Sequence, residues 1–263
     1  NTTTAPIKVL DAKKVILTLA DNTTNTITDS SRLSTEEDYS AAIYSKEDLI
    51  INGNGTLNVI AGYRNGIKST DDCIIVSGTL NITSTEDGII GKDLCGVVSG
   101  DININAGSDG IKSTYDTDTT KGNVIIEGGN ITIKASNDGI QAENILVIND
   151  GTINIKTNNG AADTTQTHTD NMYMGRGGFG FNNNKTTTAT DDTVESRKGI
   201  KAGNMLIIND GDITIDSDDD SVHCNSEIYI YGGTINAATG DDGVHADDLL
   251  TVNGGTINIT QCY

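Results

Sequence analysis

A short string, Gly-Thr-Ile-Asn-Ile or a close variant, begins at Gly55, Gly78, Gly100, Gly129, Gly151, Gly211, Gly233 and Gly255, at intervals of 23, 22, 29, 22, 60, 22 and 22 residues. Two other strings keep step with it. One reads NGIKS at Asn65, DGIIG at Asp87, DGIKS at Asp109, DGIQA at Asp138, KGIKA at Lys198, DSVHC at Asp220 and DGVHA at Asp242. The other is apolar and runs into the glycine from Gly78 onward: CIIVSG, CGVVSG, VIIEGG, LVINDG, LIINDG, IYIYGG and LTVNGG. A period of this length marks stacked units, each too small to bury its apolar face alone.

Within each unit, apolar and polar residues alternate with period two over three short segments, separated by Gly, Asn and Asp. That is the pattern of strands. The spacing predicts an all-β parallel β-helix, a solenoid of about 22 residues and three strands per coil. Three inward columns follow: Cys73, Cys95, Val124, Leu146, Leu206, Ile228 and Leu250; Leu80, Ile102, Ile131, Ile153, Ile213, Ile235 and Ile257; and Ile67, Ile89, Ile111, Ile140, Ile200, Val222 and Val244. Like side chains then stack at the strand spacing, roughly 4.8 Å. The chain reads as one β-helix domain over 1–263, with 1–46 as irregular N-terminal capping coils. Two intervals break the register: a short one, Tyr115 to Lys121, and an inserted loop over 163–197 that holds both phenylalanines, Phe179 and Phe181. The longer one reads as a surface loop or as a lid over a ligand.

Composition narrows the function. With 37 acidic against 17 basic residues the formal charge is −20. Such a chain repels polyanions, which excludes nucleic acid and points to divalent cations as partners. No apolar run approaches the roughly 18–20 residues of a membrane span, and no secretion signal follows Asn1, so a processed chain or a fragment is expected. The four cysteines, 73, 95, 224 and 262, give no CxxC pattern. Cys73 and Cys95 fall inward on neighbouring coils, where buried free thiols are expected over a disulfide.

Outward positions carry the candidate chemistry. Asp87, Asp109, Asp138, Asp220 and Asp242 form an acidic column, with doublets Asp219–Asp220 and Asp241–Asp242. Asp before Gly can simply shape a turn by bonding its own backbone; the alternative is calcium, which takes six to eight oxygens. A second group, Asp71, Asp72, Asp93, Asp116 and Asp118, is expected to converge on one cation or to be a solvated acidic edge. Between them runs a column of Lys68, Ile90, Lys112, Gln141, Lys201, His223 and His245. Its Lys68, Lys112, Lys201, His223 and His245 are candidates for binding an acidic sugar, or they neutralise the neighbouring Asp column. His223 with His245 forms a poor metal pair because no third nitrogen or sulfur is evident. Outward Thr and Asn, as at Thr56 and Asn58 or Thr79 and Asn81, form a polar ladder that could lie along a crystalline polymer. Without Trp, sugar-stacking candidates are Tyr63, Tyr115, Tyr173, Tyr229 and Tyr231.

The strings DDCIIVSGTLNIT, SDGIKSTYDTDTTKGNVIIEGGNITI, NDGIQAE, DDSVHCN and DDGVHADDLLTVNGGTINIT resemble a bacterial family of secreted carbohydrate-binding β-helix proteins. The resemblance runs from about Ala41. It implies a right-handed, pectate-lyase-like fold, calcium as cofactor, and cellulose or acidic cell-wall glycans such as polygalacturonate as partner. It also implies a place outside the cell or on the bacterial surface. Asn65 and Lys198 stand where that pattern has Asp, and Ser221 where it has Gly, so it implies no metal site there. The reading is a noncatalytic, calcium-dependent binder. The alternatives are a polyuronate lyase or hydrolase, for which no single base stands out, and a structural or adhesive surface protein.

Overall fold

The computed structural model describes residues 5–30, 39–161 and 196–262, so most of the expected 163–197 loop, with Tyr173, Phe179 and Phe181, lies outside them. The described residues form 27 strands and no α-helix. They assort into three sheets of nine, each sheet taking every third strand of the chain, and the paired strands run parallel. One coil consists of Cys73–Ile75, Thr79–Ser84 and Ile89–Gly91; the next consists of Leu94–Val97, Asp101–Ala106 and Ile111–Lys112. Parallel neighbours need a crossover, and here the other two sides of the coil supply it. The chain is a parallel β-helix.

The predicted columns are those of the structure. Cys73 pairs with Cys95, Cys95 with Val124, Leu80 with Ile102, Ile67 with Ile89, and the registers continue upward. Burial alternates strictly along Asp101–Ala106 and Asn130–Ala135, which puts every second residue into the core. Each fully buried isoleucine of these columns contributes about 1.5–3 kcal/mol through removal of apolar surface from water. Cys73 and Cys95 are free thiols in that core, and burial pushes Cys95 up to about 12.

Two glycine positions explain the repeating strings. Gly100 turns the chain into its next strand at φ 118°, where a side chain is strained. Gly88 permits close approach: a Cβ there would lie 2.5 Å from the Gly110 carbonyl oxygen and 2.5 Å from Ile104 Cγ2. Gly139 and Gly199 meet Ile155 and Ile215 in the same way. Ser221 breaks the glycine rule where Ala237 follows Ile215 in the facing column, and the Ser221 hydroxyl bonds Ser217 Oγ at 2.9 Å. Loss of the isoleucine methyls makes room for the serine.

The N-terminal segment is more regular than its sequence suggests. Ile7–Val9, Val15–Leu19 and Thr24–Asp29 pair in register with Ala41–Ser45, Leu49–Gly53 and Thr56–Ala61, one strand in each sheet. It lacks the Asp-Gly turn but not the coil. In the last coil, Leu250, Val252 and Ile259 are 45%, 49% and 41% exposed, because no described coil covers them.

Candidate metal and glycan site

The edge between the second and third strands of each coil carries the Asp column, and its hydrogen bonds run between coils. Among the described residues, Asp87, Asp109, Asp138 and Asp220 bond the backbone of the next coil, whereas Asp150 and Asp210 at the other turn accept from the following glycine N–H. Asp87 Oδ1 accepts the Asp109 N–H at 3.0 Å, Asp109 Oδ1 the Asp138 N–H at 2.9 Å, and Asp138 Oδ1 the Lys198 N–H at 2.7 Å. Asp220 Oδ1 accepts the Asp242 N–H at 3.0 Å. Each carboxylate thus ties its coil to the following one. Asn65 does the same with its amide oxygen, 3.1 Å from the Asp87 nitrogen. Lys198 has no acceptor, and the Asp220 N–H turns instead to Asp219 Oδ1 at 2.9 Å.

The second oxygen of each carboxylate faces the Lys and His column, whose register is as predicted. Lys112 Nζ lies 2.6 Å from Asp109 Oδ2, Lys201 Nζ 3.5 Å from Asp138, His223 Nδ1 2.7 Å from Asp220 and His245 Nδ1 3.0 Å from Asp242. Four of the five candidate glycan ligands are therefore engaged with the Asp column. Burial lowers the Lys112 pKa, but Asp109 outweighs it and the group is raised. The coil of Asp87 carries Ile90 in place of a cation; burial first, then the Asp109 charge, raises the Asp87 carboxyl. Lys68 is the converse case. It donates to Ser40 Oγ at 3.3 Å, has no carboxylate partner among the described residues, and burial lowers its pKa.

At the other edge, Asp71 and Asp72 meet Asp48, with ligand atoms within 4.8 Å of one another. Burial, Asp93 and Asp48 raise Asp71; burial, Asp48 and Asp93 raise Asp72. Asp93 is 8% exposed, its Oδ2 accepts from Lys121, and among the described residues no donor bonds its Oδ1. The short insertion thus brings an ammonium to this edge. Its Asp118 is occupied locally, accepting from Thr120 N–H at 2.9 Å and Oγ1 at 2.7 Å, and Asp116 is exposed. Neither belongs to a three-ligand group among the described residues. Asp48 is absent from the predicted set, although it was accessible from the sequence: aligning Leu49 with Cys73 places Asp48 beside Asp72.

Two further groups share Asp220. Asp219, Asp220 and Asp241 come within 4.8 Å, as do Asp220, His223 and His245. Lys198 Nζ sits 2.5 Å from Asp219 and 3.3 Å from Asp220. Burial opposes ionisation of Asp220, but His223, Lys198 and the Asp242 N–H outweigh it and hold the carboxyl at about 2. Buried Asp218, a residue the sequence did not single out, binds Arg197 at 2.7 Å and Asn158 at 3.0 Å.

The Thr and Asn ladder exists as hydrogen bonds from Asn81 to Asn58 at 2.9 Å, Asn103 to Asn81 at 3.1 Å and Asn258 to Asn236 at 2.9 Å. On a different sheet, the Tyr229 and Tyr231 rings are parallel within 7°, 6.3 Å between centroids. Tyr231 is 49% exposed and Tyr229 donates to Glu227 at 2.8 Å.

Fold and edges together define a polysaccharide lyase-like parallel β-helix. A solved structure described as the polysaccharide lyase-like protein from C. thermocellum, in a gadolinium derivative, superposes with a TM-score of 0.58 at 35% identity. The match covers 60% of this chain and 65% of that one. Residues 1–243 match the family described as carbohydrate-binding domain-containing protein, and the chain belongs to that family. A relative of that description from Acetivibrio thermocellus is 38% identical over 86 residues, 31% of this chain and 30% of the relative. The chain therefore spans under a third of the length of that curated relative.

Proposed function

We propose that the chain is a noncatalytic module that holds plant cell-wall polysaccharide, cellulose and acidic glycans such as polygalacturonate, outside the cell or on a bacterial surface, with calcium as the bridging ion. One observation carries the calcium reading. Asp48, Asp71 and Asp72 converge beside Asp93, whose buried Oδ1 has no donor among the described residues. Carboxylates held together this way repel, and a hard divalent cation with oxygen ligands relieves that repulsion. Asp48, Asp71, Asp72 and Asp93 would supply the ligands, and the remaining coordination positions suit a uronate carboxylate. Asp219, Asp220 and Asp241 form a second such place, already partly neutralised by Lys198.

The test is calorimetric titration of oligogalacturonate with calcium, repeated with chelator and with Asp71→Asn and Asp72→Asn. Saturable heats that disappear with chelator and weaken in both variants are expected. Equal affinity without calcium overturns the bridging role, and a flat trace throughout overturns acidic-glycan binding. A lyase is the second reading, favoured by Lys68: burial lowers its pKa, no carboxylate pairs with it among the described residues, and Arg64 lies near, which suits a base that takes the proton beside a uronate carboxyl. Continued heat with new ultraviolet-absorbing chain ends, abolished in Lys68→Met, selects that reading.

A further inference from the structure

The two histidines of the outward column fall on successive coils as direct Cα partners, with ring centroids 5.0 Å apart. Both Nδ1 atoms turn toward the aspartate three residues earlier, and both Nε2 atoms turn away toward oxygen: His223 to Asn225 Oδ1 at 2.9 Å, His245 to Asp247 Oδ1 at 3.1 Å. We propose that His223, His245 and Asp220 bind a first-row divalent transition-metal ion of the imidazole-preferring class, of which zinc is the type. This site is independent of the calcium reading at Asp71 and Asp72.

Three features support it. The donor set is two nitrogens and one carboxylate oxygen, all within 4.8 Å, a combination that suits zinc, nickel or copper and not calcium. Metal–ligand bonds of about 2.0–2.1 Å put tetrahedral donors about 3.3–3.4 Å apart, so the rings close on the ion while His223 Nδ1 and Asp220 Oδ2, now 2.7 Å apart, separate to admit it. The outer contacts are also in place. Metal-bound imidazole commonly donates its other N–H to a carboxylate or carbonyl, which fixes the tautomer; Asp247 and Asn225 occupy those positions. Finally, both partners of His245 are carboxylate oxygens that only accept, so a cation at Nδ1 meets anionic groups on both sides of the ring. Lys198, 3.3 Å from Asp220 Oδ2, competes with the ion and already has Asp219 as its alternative partner.

The test titrates zinc into chelator-treated full chain by calorimetry in two buffers of different ionisation enthalpy. The variants are His223→Gln, His245→Gln and Asp71→Asn, with thermal melts to establish that each is folded. One equivalent of zinc is expected to bind with proton release, at least about tenfold more weakly in either histidine variant and unchanged in Asp71→Asn. Imidazole C–H proton resonances give a readout that needs no variant, because zinc must shift two of the histidine lines. Unchanged zinc affinity in both histidine variants, or histidine lines that do not move, overturns the proposal.

Discussion

At the residue scale, small exchanges are readable as contacts. Ser221 is tolerated where its neighbours have glycine because the facing column position is Ala237 and not isoleucine. Ala237→Ile is therefore expected to destabilise by roughly 1–3 kcal/mol, the usual penalty of overpacking, and Ser221→Gly in the same chain is expected to recover most of it. Urea midpoints of the two single variants and the double variant check this; simple additivity of the two changes would refute the contact. Asp87 offers a second case. Its folded pKa is raised by burial and by Asp109, so the folded state binds the proton more tightly than the unfolded state. Its contribution to stability is full below the ordinary carboxylate range and is lost as pH rises through the folded value. Asp87→Asn keeps the acceptor that Asn65 already provides one coil earlier and removes the charge. Its melting temperature should exceed that of the parent at pH 7, with the gap closing toward pH 3; a constant gap would contradict the assignment.

At the element scale, the third strand of each coil with its preceding turn works as a unit. An aspartate caps the next coil and a cation three residues on neutralises it. Lys112→Met leaves the Asp109 carboxylate, 3% exposed, without its cation, and a loss of roughly 1.5–3 kcal/mol is expected, as for a hydrogen bond to a charged group. Because the Lys112 pKa is raised in the fold, the parent should lose this contribution as pH rises through that value and the variant should not. Denaturation midpoints across the alkaline range decide it, and parallel curves would exclude the pair. Much of this unit was legible from sequence, since the Asp-Gly strings and the Lys and His column follow from the period alone. The direction of the Asp hydrogen bond was not, because a turn aspartate can reach its own backbone or the next coil with equal chemistry. The cation cluster was half legible. Asp71 and Asp72 are recognisable by spacing, whereas Lys121 reaches Asp93 only because a non-repeating insertion folds back.

At the scale of the whole molecule, stability is close to a sum over coils and their interfaces. Ile131, fully buried between two coils, should cost about 2–5 kcal/mol on replacement by alanine. Ile257, in the terminal described coil and only partly buried, should cost less. Equal losses would show that the coils do not act as nearest neighbours. The fold was legible almost entirely from the period, except in the first coil, which lacks the turn string and reads as irregular although its apolar alternation survives at Val15–Leu19. The family match names carbohydrate-binding domains, while the face on which a ligand would sit depends on side chains the repeat does not constrain.

The hydrogen bonds of the Asp column all point one way: the earlier coil offers the oxygen and the later coil the N–H. In a chain that emerges N-terminus first, each acceptor therefore precedes its donor in the order of synthesis. The column is in that sense a template read in the order of synthesis, with Lys198 as its one interruption among the described Asp-Gly turns.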